Sequence, residues 1–134
     1  MLSTTGMLLS RLRGSRRLTA EALAWFFGIP ATASWVVKLK TEITSLLRPI
    51  YDELVAALPR LLWINADETL YNEGQLKSWL WALRNKHFTV FALCPNRNDD
   101  HIQSLFGADF TGTVMCDRVK MYLGFETIQW CWAH

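Results

Sequence analysis

The stretch "LLWINADETLYNEG", residues 61–74, decides the fold, because an apolar run typical of a buried strand ends there on two adjacent acids. A carboxylate at the end of a core strand is costly to desolvate unless a positive group or hydrogen-bond donors meet it. Asp67 and Glu68 are therefore either the solvated start of a loop, or one of them holds a metal ion.

The sequence after this stretch predicts a mixed sheet. The turn residues of "LYNEGQLK" precede two strand-like runs, "SWLWALR" and "FTVFALC", which the short "NKH" joins as a hairpin. "PNRNDDHIQSLFG" predicts a short helix with Asp99 as its N-cap and Gly107 at its end. "GTVMCD" and "TIQWCWAH" predict two more strands, separated by a helix or loop in "RVKMYLGFE". This order predicts an α/β fold in which three antiparallel-linked strands are followed by parallel strands with helix crossovers.

Two of the predicted strands end on an aspartate, Asp67 in the first and Asp117 in the fourth. If these strands are parallel neighbours, both carboxylates emerge at one edge of the sheet, where ligand sites in open α/β sheets gather. Mg²⁺ prefers a few carboxylate oxygens completed by water and substrate phosphate. We therefore expect Asp67 and Asp117 to share Mg²⁺ or Mn²⁺. Glu68 is expected on the opposite face of the strand, where it supports the site or faces solvent.

Composition points to a folded domain with an uneven charge distribution. The chain has 134 residues, of which 51% are hydrophobic, including seven Trp, and this is too apolar for disorder. Residues 1–60 carry eight Lys and Arg against four acids, whereas residues 61–134 carry six against eight. This asymmetry favours a nucleic-acid-facing arm beside a metal-binding core, although ordinary surface variation produces the same pattern.

The basic first half predicts helices. Thr19 is a candidate N-cap for "LTAEALAWFF", Gly28 ends that helix, and a second helix can start near Pro30. The second helix covers "TASWVVKLKTEITSLLRPIYDELVAAL", with a kink or break expected at Pro49. Two helices around a glycine turn are compatible with a helix-turn-helix DNA-binding motif, but any helical hairpin shares this pattern.

Basic side chains of this region are candidates for neutralising DNA phosphates without reading bases. The alternative for each of them is a solvated helical face. The candidates are Arg16, Arg17, Lys38 and Lys40. We expect no membrane span, since the uncharged segment of residues 22–37 is shorter than the ~20 residues required and is interrupted by Gly28 and Pro30.

The three cysteines, Cys94, Cys116 and Cys131, are odd in number and lie in apolar runs. This is typical of buried, reduced thiols in a cytoplasmic protein. Cys131 and His134 form a C-x-x-H pair that could supply two zinc ligands, but no second pair completes the four that zinc requires.

The acidic stretch also invites comparison with phosphatases of the haloacid-dehalogenase type, which carry D-x-D-x-T after their first strand. Here Asn65 occupies the position of the nucleophilic aspartate, and an amide cannot form the aspartyl-phosphate. This leaves a degenerate phosphatase-like α/β domain as a minor alternative.

Five segments, in order, resemble the insertion-sequence transposases of the sixty-six family, over roughly residues 18–134. They are "NADET", "SWLWAL", the arginine of "CPNRNDD", "FTGTVMCDRVKMY" and "CWAH". The resemblance implies a ribonuclease-H-like fold and the Mg²⁺-dependent DDE chemistry of DNA strand cleavage and joining. It implies that Asp67 and Asp117 are the first two catalytic acids and metal ligands, and that Arg97 contacts DNA. The other motif positions it covers are Glu68, Thr69, Tyr122, Cys131 and His134.

The chain also departs from the family pattern. Arg118 stands where the family usually has glycine, and the family's third acid, a glutamate, comes from a helix beyond the C-W-A-H motif. We therefore expect a C-terminally truncated transposase, with a helical, basic region in residues 1–60 and a partial catalytic core in residues 61–134. Such a chain should have little activity alone. It should also self-associate through the exposed region around Trp130 and Trp132, and be cytoplasmic, joining the nucleoid when bound to DNA. The alternatives are a non-catalytic DNA-binding module and an unrelated structural helix–sheet domain.

Overall fold

The quoted stretch forms the central strand of a five-stranded sheet. The computed structural model describes residues 1–73 and 75–132. The chain divides into a helical unit, Met1–Ile50, and a sheet unit, Tyr51–His134. Within the described ranges, no helix combines the length and the hydropathy that crossing a bilayer requires.

The helical unit contains two short helices and the start of a long one. They are α1 (Leu2–Ser10), α2 (Arg16–Phe27) and α3 (Ala33–Ala57). The predicted N-cap of α2 is wrong: Thr19 is buried inside the helix, and Ser15 is the cap, its hydroxyl accepting a hydrogen bond from the Leu18 amide at 3.1 Å. Gly28 ends α2 in the left-handed conformation at φ 64°, as expected for a glycine at this position.

Of the kink or break expected near Pro49, the break is wrong, because α3 continues through this residue to Ala57. A proline inside a helix costs about 3 kcal/mol or more. Packing on both sides of Pro49 opposes that cost. Val36 is fully buried in the helical unit, and Tyr51 and Leu54 pack against the core of the sheet unit.

The sheet unit has the predicted order of elements. Its strands are β1 (Trp63–Glu73), β2 (Leu76–Arg84), β3 (Thr89–Cys94), β4 (Thr113–Cys116) and β5 (Thr127–Trp130). Helix α4 (Asp99–Phe106) follows β3, and a 3₁₀ helix, Lys120–Gly124, follows β4. The strands are arranged β3-β2-β1-β4-β5, and β1, β4 and β5 are parallel, whereas β2 is antiparallel to both of its neighbours. The predicted mixed sheet is therefore confirmed.

The two hairpins differ from the sequence expectation in one respect. The β2–β3 hairpin is confirmed, and the Asn85 side chain closes it by accepting hydrogen bonds from the amides of His87 and Phe88. The turn expected within "LYNEGQLK" is present but shorter than that stretch, since β1 and β2 stay paired up to Glu73 and Leu76. Cross-strand packing along this hairpin outweighs the turn propensity of its polar residues.

Side-chain alternation gives the sheet a core face and a second face. The buried residues of the core face are Ile64, Ala66, Trp81, Leu83, Val90, Ala92, Val114 and Cys116. Ile102 and Phe106 of α4 and Tyr122 of the 3₁₀ helix belong to the same cluster. The Phe106 ring lies 4.9 Å from that of Phe110 and 4.7 Å from that of Phe125.

We expect Phe106→Ala to destabilise the sheet unit by about 3–5 kcal/mol, because it opens a cavity among three aromatic rings. Phe91→Ala is the matched control, since the Phe91 side chain is 58% exposed on the second face. Chemical denaturation of the two variants measures the difference. Equal losses of stability would contradict the assignment of the two faces.

Candidate functional site

Asp67 and Asp117 occupy corresponding positions of two neighbouring parallel segments, two residues beyond the last β1–β4 pair. The pairs run from Trp63↔Thr113 to Asn65↔Met115. Asp117 directly follows β4, as predicted. The expectation that the first strand ends at Asp67 is wrong, because β1 stays paired with β2 well beyond it.

Both carboxylates line one pocket of about 400 Å³, here called the acidic pocket. Its other lining residues include Asn65, Met115, Gln129, Trp130, Cys131 and Trp132. The Asp117 carboxylate is oriented by the backbone, because its Oδ1 accepts a hydrogen bond from the Val119 amide at 3.1 Å. Asp67 is exposed and Asp117 is half-buried, so the pocket opens to solvent.

The donor set of the acidic pocket fits a hard divalent cation. Two carboxylates and the side-chain amides of Asn65 and Gln129 supply oxygen donors, which Mg²⁺ and Mn²⁺ prefer. Across residues 1–73 and 75–132, no cluster of three or more His, Cys, Asp or Glu side chains has the arrangement of a metal site. The pocket therefore offers a partial shell, of the kind that water and substrate phosphate complete.

Glu68 lies on the opposite face from Asp67 and is enclosed by the protein. Its side chain is only 2% exposed. The Tyr122 hydroxyl donates a hydrogen bond to Glu68 Oε2 at 2.5 Å, and Arg97 Nη2 donates to Oε1 in an ion pair. The predicted opposite placement of the two acids is confirmed, whereas a solvent-facing Glu68 is wrong. A buried carboxylate requires such donors, since desolvation without them costs several kcal/mol.

Two tryptophans of β2 surround the Glu68 carboxylate and its partners. The Arg97 guanidinium lies over the Trp79 ring at 4.6 Å, and Trp81 contacts Tyr122 edge-to-face at 6.2 Å. The β1–β2 register puts Trp81 directly opposite Glu68. We call these five residues the Glu68 cluster. It gathers the acid of the first motif, the paired tryptophans of the second, the arginine and the tyrosine.

Burial also determines the protonation of nearby groups. Burial raises the pKa of Tyr122 far above its ordinary value, and the hydrogen bond to Glu68 raises it further, so Tyr122 remains a hydrogen-bond donor. Burial, with the charges of Asp117 and Glu68, raises the pKa of Cys116 to about 12. The Cys116 thiol is therefore neutral at ordinary pH and is not suited to ligate a metal. Burial of Cys94 is confirmed, but Cys131 is exposed, contrary to expectation.

The chain also matches a known protein family. The family described as "Transposase IS66 family" matches residues 16–134. The chain belongs to this family. The match includes the acidic pocket, the Glu68 cluster and most of the helical unit. No curated protein and no solved structure matches the chain.

The basic residues predicted in this transposase-family chain are partly brought together in its helical unit. Arg16, Arg17 and Lys40 line one groove of about 700 Å³, together with Leu9, Gly14 and Ser15. We call this the basic groove. Lys38 is exposed on α3 but does not line it.

Three further motif positions have different placements. Thr69 is exposed on the same face of β1 as Asp67, outside the lining of the acidic pocket. Arg97, predicted to contact DNA, bonds Glu68 within the sheet unit, and its role toward DNA stays a prediction. His134 lies outside the described residues, so its pairing with Cys131 is not described.

The central role of Glu68 was not predicted, although its signal is present in the sequence. Glu68 continues the alternation of Ile64 and Ala66, so a strand reaching past Asp67 must direct it to the core. An acid in phase with core residues predicts a buried partner. The arginine and tyrosine of the later motifs were the candidates.

Proposed function

We propose that the sheet unit carries a metal-dependent phosphoryl-transfer site for DNA strand cleavage and joining, in which Asp67 and Asp117 hold Mg²⁺. The observation that supports this most directly is that carboxylates from two neighbouring parallel strands line one open pocket. Membership of a transposase family supplies the reaction class.

We further propose that the sheet unit is a ribonuclease-H-like domain. The strand order is β3-β2-β1-β4-β5, and β2 runs antiparallel to the other four strands. Both features support this assignment. In such a sheet the acid on the central strand and the acid after the adjacent parallel strand are neighbours. This is the relation of Asp67 to Asp117.

The residues of the acidic pocket divide the work of such a site. A divalent cation held there would activate the attacking oxygen and neutralise charge on the phosphoryl group. Asp67 supplies an exposed carboxylate that can reach substrate, while Asp117 is oriented by the Val119 amide. DDE chemistry uses three acids, and the described pocket contains two. We therefore propose that this chain alone binds the cation weakly and does not join strands.

The basic groove is proposed to contact DNA phosphates. Three cationic side chains line it, and phosphate contacts of this kind bind without sequence preference. The groove also includes Ser15, the N-cap of α2, where backbone amides and the helix dipole favour an anion. Each neutralised phosphate makes binding more sensitive to salt.

A titration with Mn²⁺, followed by two-dimensional NMR, tests the metal site. We expect paramagnetic broadening centred on Asp67 and Asp117, and at least a tenfold loss of affinity in Asp67→Asn and Asp117→Asn, because each removes a charged ligand. Asp109→Asn is the matched control, since Asp109 is an exposed acid outside the pocket. Affinity unchanged in Asp67→Asn would refute the proposed site.

DNA binding measured by fluorescence anisotropy over a range of salt concentrations tests the basic groove. We expect Lys40→Ala to reduce the slope of log K against log salt by about 0.9, the value for one duplex phosphate contact. Lys38→Ala, two positions away on the same helix, should leave the slope nearly unchanged. Equal effects of the two variants, or binding insensitive to salt, would contradict the groove. Salt-dependent DNA binding without any Mn²⁺ binding would favour the non-catalytic binding module.

A further inference from the structure

The two carboxylates of the acidic pocket lie just beyond the pairing that joins their strands. The paired residues of β1 and β4 end with Asn65 and Met115. At Asp67 the strand is paired with β2, through Ala82, on its other side. The β1–β4 pairing therefore does not itself fix the separation of Asp67 and Asp117.

A chain of hydrogen bonds connects these same two segments. The Val119 amide donates to Asp117 Oδ1 at 3.1 Å, and the Tyr122 amide donates to the Val119 carbonyl at 3.3 Å. The Tyr122 hydroxyl then donates to Glu68, the residue next to Asp67. Asp117 and Tyr122 thus belong to one short bonded segment, and Glu68 links that segment to β1.

The Glu68 end of this connection is held firmly. Its second carboxylate oxygen bonds Arg97, whose guanidinium lies over Trp79, and Tyr122 contacts Trp81 edge-to-face. A carboxylate with two donors from different elements has little freedom to rotate. Because neighbouring side chains on a strand point to opposite faces, fixing Glu68 also fixes the direction of Asp67.

We propose that Glu68 and Tyr122 are positioning residues, whose hydrogen bond sets the spacing of Asp67 and Asp117 across the end of the β1–β4 pairing. The expected effect on cation binding rests on the proposed function, whereas the expected effect on the spacing of the two acids does not. Neither residue is among those that line the pocket.

Tyr122→Phe in the full chain tests this inference, because it removes the hydroxyl and keeps the ring. Tyr71→Phe is the matched control, since it makes the same chemical change at a 43% exposed tyrosine of β1, the strand that carries Glu68. In metal-free protein we expect amide hydrogen exchange at Val119 to accelerate at least tenfold in Tyr122→Phe only. Amides of the β2–β3 hairpin should be unchanged, which distinguishes local release from general destabilisation.

The same two variants are then titrated with Mn²⁺ at a temperature where both are fully folded. We expect the dissociation constant to rise about tenfold in Tyr122→Phe and to stay at the wild-type value in Tyr71→Phe. Exchange and affinity that are both unchanged in Tyr122→Phe would overturn the inference. If wild-type chain binds no Mn²⁺, the proposed metal site fails, and Val119 exchange still decides the positioning role.

A second pair of variants covers the case in which Tyr122→Phe does not fold. Glu68→Gln keeps an acceptor for the Tyr122 hydroxyl, whereas Glu68→Ala removes it. We expect slow Val119 exchange to be retained largely in Glu68→Gln and lost in Glu68→Ala. Equal exchange rates at Val119 in these two variants would overturn the inference.

Discussion

The arrangement of the sheet unit depends on the contacts of the Glu68 carboxylate, which is enclosed between the Arg97 guanidinium and the Tyr122 hydroxyl. A one-residue slip of β1 would exchange its faces, moving Asp67 into the core and Glu68 to the acidic pocket. Only on the core face does Glu68 meet two donors. The Glu68 contacts therefore favour the observed register of the strand over one shifted by a single residue.

This constraint connects the core to the acidic pocket. The same strand presents an enclosed acid to one face and an exposed acid to the other, and the segment after β4 supplies both Asp117 and Tyr122. The five motif segments of the sequence thus divide between two adjoining sites. Asp67 and Asp117 line the pocket, whereas the arginine, the tyrosine and the tryptophans hold Glu68. In this transposase-family chain, the packed core and the acidic pocket therefore meet on β1 and on the segment after β4.

Periodicity in the sequence was sufficient to predict the order of strands, their directions and the opposite placement of Asp67 and Glu68, because these follow from alternation and short connections. It did not identify the partners of Glu68, because Arg97 and Tyr122 are 29 and 54 residues away from it in the sequence. Local propensity also misplaced boundaries. Helix α3 continues through Pro49 because both of its ends are packed, and β1 extends to Glu73 because it is paired with β2. In each case tertiary contacts outweighed a local signal.

A double-mutant cycle between Glu68 and Tyr122 tests most directly whether the hydrogen bond between them stabilises the sheet unit. The free energies of unfolding of wild type, Glu68→Ala, Tyr122→Phe and the double variant give the coupling between the two side chains. We expect a coupling of about 1 kcal/mol or more, as for a hydrogen bond to a buried charge. The corresponding cycle of Asp67→Asn with Tyr122→Phe should give almost none. Additive effects in the Glu68 cycle would contradict the account.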